Sequence, residues 1–134
     1  LVQQYSFDSI LHWQKPVIRE YVRLERVEGK VPGKPPVSKE YRSFWWCGEL
    51  VGCDRYWYQV PAYECASLRA GIEIAREAAR RVACPFLVVD FAMTADGDWI
   101  VIECNDAQES GYAAITPHML WRNIIEISRR HGKT

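Results

Sequence analysis

Asp90, Glu103 and Asn105 stand in the stretch FLVVDFAMTADGDWIVIECN, residues 86–105, as oxygen donors inside otherwise apolar runs. Asp96-Gly97 separates the two runs, and Asp-Gly between strand-like segments is a strong hairpin signal. A two-residue turn there sets Ala95 against Asp98 and, in the same register, Asp90 against Glu103. Asn105 points to the same face, because strand side chains alternate with period two. Two carboxylates opposite one another repel, so the arrangement asks for a cation. Carboxylate and carboxamide oxygens are hard donors that suit magnesium better than zinc. On spacing alone the residues also read as a strand-end carboxylate and a solvent-facing glutamate. The apolar runs weigh towards a site, since an unpaired charge is expensive in such surroundings.

A second set of charges, Arg19, Glu20, Glu40, Arg42 and Arg55, falls on three further strand-like segments. Arg19 and Glu20 point to opposite faces, whereas Glu40 and Arg42 share one. Cross-strand ion pairs at a solvated surface account for such charges and contribute little each. Arg42 stands apart because it lies in the run YRSFWW. A guanidinium there offers a planar fork to phosphate oxygens. His12, His118 and His131 show no ligand spacing, and no Gly-rich phosphate loop, G-x-S-x-G elbow or H-E-x-x-H is present. Chemistry therefore falls to carboxylates and arginines.

These residues need elements to position them. Residues 1–15 are amphipathic and suit a short helix; residues 17–24 (VIREYVRL) alternate roughly and predict a strand. Residues 25–38 hold Gly29, Pro32, Gly33, Pro35 and Pro36 and predict a loop that moves. EYRSFWW and residues 49–57 predict a hairpin turning at Gly48. Residues 62–82 predict an amphipathic helix with Ala66, Ala70, Ile74, Ala78 and Val82 inward, weakened by Gly71. After the Asp-Gly hairpin, Thr116-Pro117 opens a second helix through Leu120, Ile124 and Ile127, and Gly132 stops it. The order predicts an α+β domain, an antiparallel sheet with two long helices against one face.

With 134 residues and 49% apolar content, the chain has the makings of one folded domain or part of one. Seventeen Lys and Arg balance seventeen Asp and Glu. That neutrality gives no field for nucleic acid or an anionic membrane. Five cysteines form no CxxC pair, no apolar run is long enough to cross a bilayer, and no signal peptide is visible. A reducing cytoplasm is the expected compartment.

The D…E-x-N pattern of Asp90, Glu103 and Asn105 on two adjacent strands resembles the C-terminal part of the ATP-grasp superfamily. The nearest likeness is the clade of small ATP-grasp domains named for its arginines and lysine. The resemblance covers most of residues 16–127 and implies that the triad holds magnesium bridging the phosphates of ATP. It implies a hinge at Glu20, Tyr21 and Val22 whose backbone reads the adenine edge. It also implies Glu40 at the ribose hydroxyls, Arg42 at the phosphates and Arg55 facing phosphate or acyl-phosphate, the two arginines being the catalytic candidates. In that superfamily a smaller lobe ahead of the hinge supplies lysines. Only about fifteen residues precede the hinge here, too few for several strands. The expectation is a C-terminal subdomain over residues 16–134, with residues 1–15 a helix or a remnant of an upstream lobe of a longer polypeptide.

The function so implied is a magnesium- and ATP-dependent ligase joining a carboxylate to an amine or thiol through an acyl-phosphate. Its other substrate would be a small carboxylate or a peptide. The rival is a non-catalytic ATP-grasp-like binding module. A divalent-cation nuclease using the same carboxylates fits the neutral charge poorly.

Overall fold

Four strands, β1 (Glu40–Trp46), β2 (Glu49–Arg55), β3 (Phe86–Met93) and β4 (Trp99–Asp106), form one antiparallel sheet in the order β2-β1-β3-β4. The computed structural model describes residues 18–132, so the helix expected over residues 1–15 lies outside the described residues. Two helices, α1 (Leu68–Val82) and α2 (Pro117–His131), complete the α+β architecture, with a short 3-10 turn, Ala107–Glu109, after β4.

The helices pack on opposite faces of the sheet rather than on one. Tyr41, Trp45, Leu87, Val89, Phe91 and Trp99 form a core with Ala75 and Ala79 of α1. The alternate residues Phe44 and Val88, with Val51, form another with Leu120, Ile124 and Ile127 of α2. Continuous apolar runs in β1 and β3 follow from this, because both faces of a central strand are buried.

The α1 stripe also differs from the expected one. Gly71, Ala75 and Ala79 are buried, whereas Ile74 and Val82 are exposed. The sheet face beneath α1 is built from large rings, so the helix presents its smallest residues to it. A Cβ at Gly71 would lie 2.7 Å from both Phe91 Cε2 and Trp99 Cε3. This glycine is a point of close approach, not a weakness. Helix α2 begins at Pro117 as expected, although the Thr116 side chain makes no capping bond.

Asp90 does stand opposite Glu103, but by a different route from the two-residue turn. Thr94 N–H donates to Asp98 O at 2.7 Å and Gly97 N–H to Thr94 O at 3.0 Å, with Gly97 at φ +91°. The connection is therefore a three-residue loop ending in a left-handed glycine. Met93 consequently faces Trp99, one residue away from the simple register, until a bulge between Asp90 and Phe91 corrects it. Ile102 is the extra residue, and its carbonyl accepts from Arg19 Nη1 at 2.8 Å. β2 carries a similar irregularity at Val51, whose carbonyl accepts from Asn123 Nδ2 at 2.8 Å.

Residues 18–24 form no strand; the segment touches the sheet through the isolated bridge Leu24 to Thr94. Ile18 and Tyr21 are exposed, so the β-branched and aromatic content there buries little. The following loop has its own small core. Val37, Trp57 and Val60 are buried with Val27 and Val31 against them. Lys34 N–H donates to Val31 O at 3.1 Å, and Gly33 takes φ +72° after Pro32, the signature of a type II turn.

Candidate functional site

The face carrying α2 is only half covered. Beyond Phe44 and Val88 it continues to Arg42 and Asp90, which sit opposite each other on neighbouring strands. Arg42 Nε donates to Asp90 Oδ1 at 2.8 Å and Nη2 to Oδ2 at 2.6 Å, a bidentate fork on a carboxylate that is 2% exposed. Arg42 Nη1 donates to Gly111 O at 2.8 Å, and the guanidinium lies 4.9 Å from the centre of the Tyr56 ring. The bonds to Asp90 hold Arg42 still more firmly in its charged form, against the opposing cost of burial. Burial pushes the Tyr56 phenol up, and Arg42 opposes that shift. Of five guanidinium N–H groups, one on Nη1 and one on Nη2 remain for a ligand oxygen.

Arg42 and Asp90 form the floor of an open cavity of about 500 Å³ whose sides include Glu40, Tyr56, Trp57 and Glu103. The bulge turns both Ile102 and Glu103 towards Asp90, and both line the cavity. Glu103 is exposed, and its Oε1 accepts from Asn105 Nδ2 at 2.7 Å, leaving the Asn105 carboxamide oxygen for another partner. Glu40 is buried, and its Oε2 accepts from Trp57 Nε1 at 3.0 Å and from Ser38 Oγ at 3.2 Å. Burial raises its pKa, with the Trp57 bond pulling the other way.

The structure thus brings Glu40, Arg42, Asp90 and Glu103 together around one cavity, with Asn105 beside Glu103. Glu20, Tyr21 and Val22 lie along the outer edge of β4, in a separate hollow of about 410 Å³ that shares Ile102 with the main cavity. Arg55 is not brought to the site. It sits on the α1 side of the sheet, 5.6 Å from the Tyr63 ring centre, with Nη1 3.5 Å from Val60 O. The bulge at Val51 shifts the alternation of β2, so reading Arg42 and Arg55 onto one surface fails. Lys34, Tyr56, Trp57 and Gly111 also line the cavity, and the sequence alone does not single them out. Lys34 lies in the Gly/Pro segment, whose turn signature fixes local geometry but gives no hint of the surface it approaches.

The profile of an ATP-grasp domain, family 3 of the clade named for its arginines and lysine, matches residues 3–124. The chain belongs to that ATP-grasp family. No curated protein matches it. Among solved structures, the macrocyclase MdnB from Microcystis aeruginosa MRC is similar at 23% identity and a TM-score of 0.33. The match covers 67% of this chain and 33% of that one, so the chain spans about a third of the length of that structure.

The donor set of this ATP-grasp domain suits a hard cation. Asp90, Glu103 and Asn105 offer only oxygen on one face, and no soft ligand intrudes. Arg42 already partners both Asp90 oxygens, which leaves Glu103 and Asn105 as the solvent-facing donors. Among the described residues no cluster of three or more His, Cys, Asp or Glu that could hold a metal stands preformed. The five cysteines are free, and burial pushes the Cys53 thiol up to about 12. No helix among the described residues is long and apolar enough to cross a membrane.

Proposed function

We propose that the cavity over Arg42 and Asp90 binds the phosphates of ATP with magnesium, in a ligase that activates a carboxylate as its acyl-phosphate. The observation that carries this reading is the Arg42 fork, locked by a buried carboxylate, with two N–H groups left beside the exposed oxygens of Glu103 and Asn105. A guanidinium fixed in advance stabilises developing phosphate charge without reorganising during the reaction. Asp90, Glu103 and Asn105 would hold magnesium, which neutralises phosphate charge when bound. Lys34 adds a positive charge on a flexible stem at the rim, and Glu40 would accept from the ribose hydroxyls.

In the first step a substrate carboxylate oxygen attacks the γ-phosphorus, the bond to the β–γ bridging oxygen breaks and ADP leaves. An amine or thiol then attacks the acyl carbon. Phosphate departs with the bonding electron pair, and the nucleophile's proton passes to solvent. The chain supplies position and charge, and no covalent enzyme nucleophile is needed. The substrate would be a small carboxylate or a peptide, and the free thiols suit a reducing cytoplasm.

Calorimetric titration of ATP with and without magnesium tests the reading. We expect magnesium-dependent binding that weakens about tenfold or more in Glu103→Gln, the loss of one charged ligand contact. Equal ATP affinity in excess EDTA would sink the reading. Binding without ADP release in the presence of carboxylate and amine substrates would instead identify a non-catalytic module.

A further inference from the structure

A second hollow, of about 560 Å³, lies within loop 27–36 and borders the ATP cavity. Lys34 and Pro35 line both spaces, so a single wall separates them. The two differ in charge. Glu40, Asp90 and Glu103 line the first together with Arg42 and Lys34, whereas Arg26, Lys30 and Lys34 line the second and, among the described residues, no acidic side chain does. The loop is also built to hold a shape. Gly29 takes φ +117° with its α-carbon so close to Val60 that a Cβ would lie 2.7 Å from Val60 Cγ1. The type II turn at Pro32-Gly33 closes the loop's tip, and Val27 and Val31 anchor it on the Val37, Trp57 and Val60 cluster. A volume in the range of small-molecule sites, an apolar floor and three cations on the rim describe a receptor for an anion.

We infer that this hollow seats the carboxylate-bearing substrate, through a second carboxylate distinct from the one that is phosphorylated. The inference rests on the proposed ATP reading for its direction: the reacting carboxylate extends past Lys34 into the ATP cavity. Arg26 and Lys30 hold the distal carboxylate, and Val31 and Val37 contact the intervening methylenes. The recognised chemistry is that of a dicarboxylate, whether free or as the side chains of an acidic peptide.

Calorimetry with tri-glutamate, glutarate and tri-glutamine on the full chain tests it without ATP turnover. Tri-glutamate or glutarate should bind, and the affinity should fall as salt rises from about 50 to about 300 mM, as a screened charge contact requires (roughly a Debye length of 10 Å shrinking within that range). The double substitution Arg26→Gln, Lys30→Gln should weaken that binding about tenfold or more while leaving magnesium-ATP affinity unchanged. Tri-glutamate bound and glutarate not would assign the peptide source, and the reverse the free dicarboxylate. Tri-glutamine binding as tightly as tri-glutamate, no binding of any of the three, or an unchanged affinity in the double variant would overturn the inference. Acid binding in a chain that shows no ATP affinity would overturn the ATP reading and leave this site standing.

Discussion

Asp90 is first of all a structural partner of Arg42. It is 2% exposed, and Arg42 occupies both of its oxygens. Removing one partner of such a pair strands a buried charge, at a cost of about 3–5 kcal/mol. Asp90→Asn should therefore lower the unfolding free energy by that order. Glu103→Gln, on an exposed carboxylate, should stay within about 0.5 kcal/mol of the parent. Chemical denaturation of the two variants separates the roles, and equal stability losses would mean that Glu103 also supports the fold. Glu40 makes a different prediction. Its folded pKa lies above the ordinary 4.5, chiefly through burial. The folded state therefore binds the proton more tightly than the unfolded chain. This contribution is fully present below about 4.5 and is lost as pH rises through the raised value. Thermal melts from about pH 4 to about pH 8 should show a decline that Glu40→Gln flattens. An unaltered slope in that variant would assign the decline to other groups.

Among the elements, α1 carries the sharpest packing constraint. Alanine at position 71 improves helix propensity by about 1 kcal/mol, yet its Cβ would press on Phe91 and Trp99 at 2.7 Å. Overpacking of that kind typically costs about 1–3 kcal/mol, so Gly71→Ala should destabilise on balance in urea unfolding. A stabilised variant would show that the ring pair yields easily. The same helix shows what the sequence conceals. Its amphipathicity is legible, but which small residues face inward depends on the ring sizes of a sheet folded from distant segments. The pairing of Asp90 with Glu103 is legible because the two residues interrupt apolar runs across a marked turn. Their pairing survives only because the longer loop at Gly97 and the bulge at Ile102 offset each other. Bulges have no comparable sequence mark. The bulge at Val51 takes Arg55 to the α1 side, away from where the resemblance implied it, and alternation cannot reveal the partnership of Arg42 with Asp90, which is set by cross-strand register between β1 and β3.

For the whole molecule, the decisive feature is a sheet with one helix packed on each face. β1 and β3 lie at its centre, and their alternate side chains enter the α1 core and the α2 core. Loss of one core therefore loosens the strands that the other depends on, so unfolding should be a single cooperative event. Leu120 is fully buried in the α2 core. Its replacement by alanine should cost about 2–5 kcal/mol, a fall in Tm of roughly 10 °C at this size. Near-UV circular dichroism reports on the packed rings of both cores, and far-UV on both helices. The two should melt together in Leu120→Ala, at the same lowered temperature. Separate transitions would mean that α2 detaches while the α1 core persists. The floor of the cavity over Arg42 and Asp90 would then lose its support on one side, because the two residues continue the sheet face on which α2 packs.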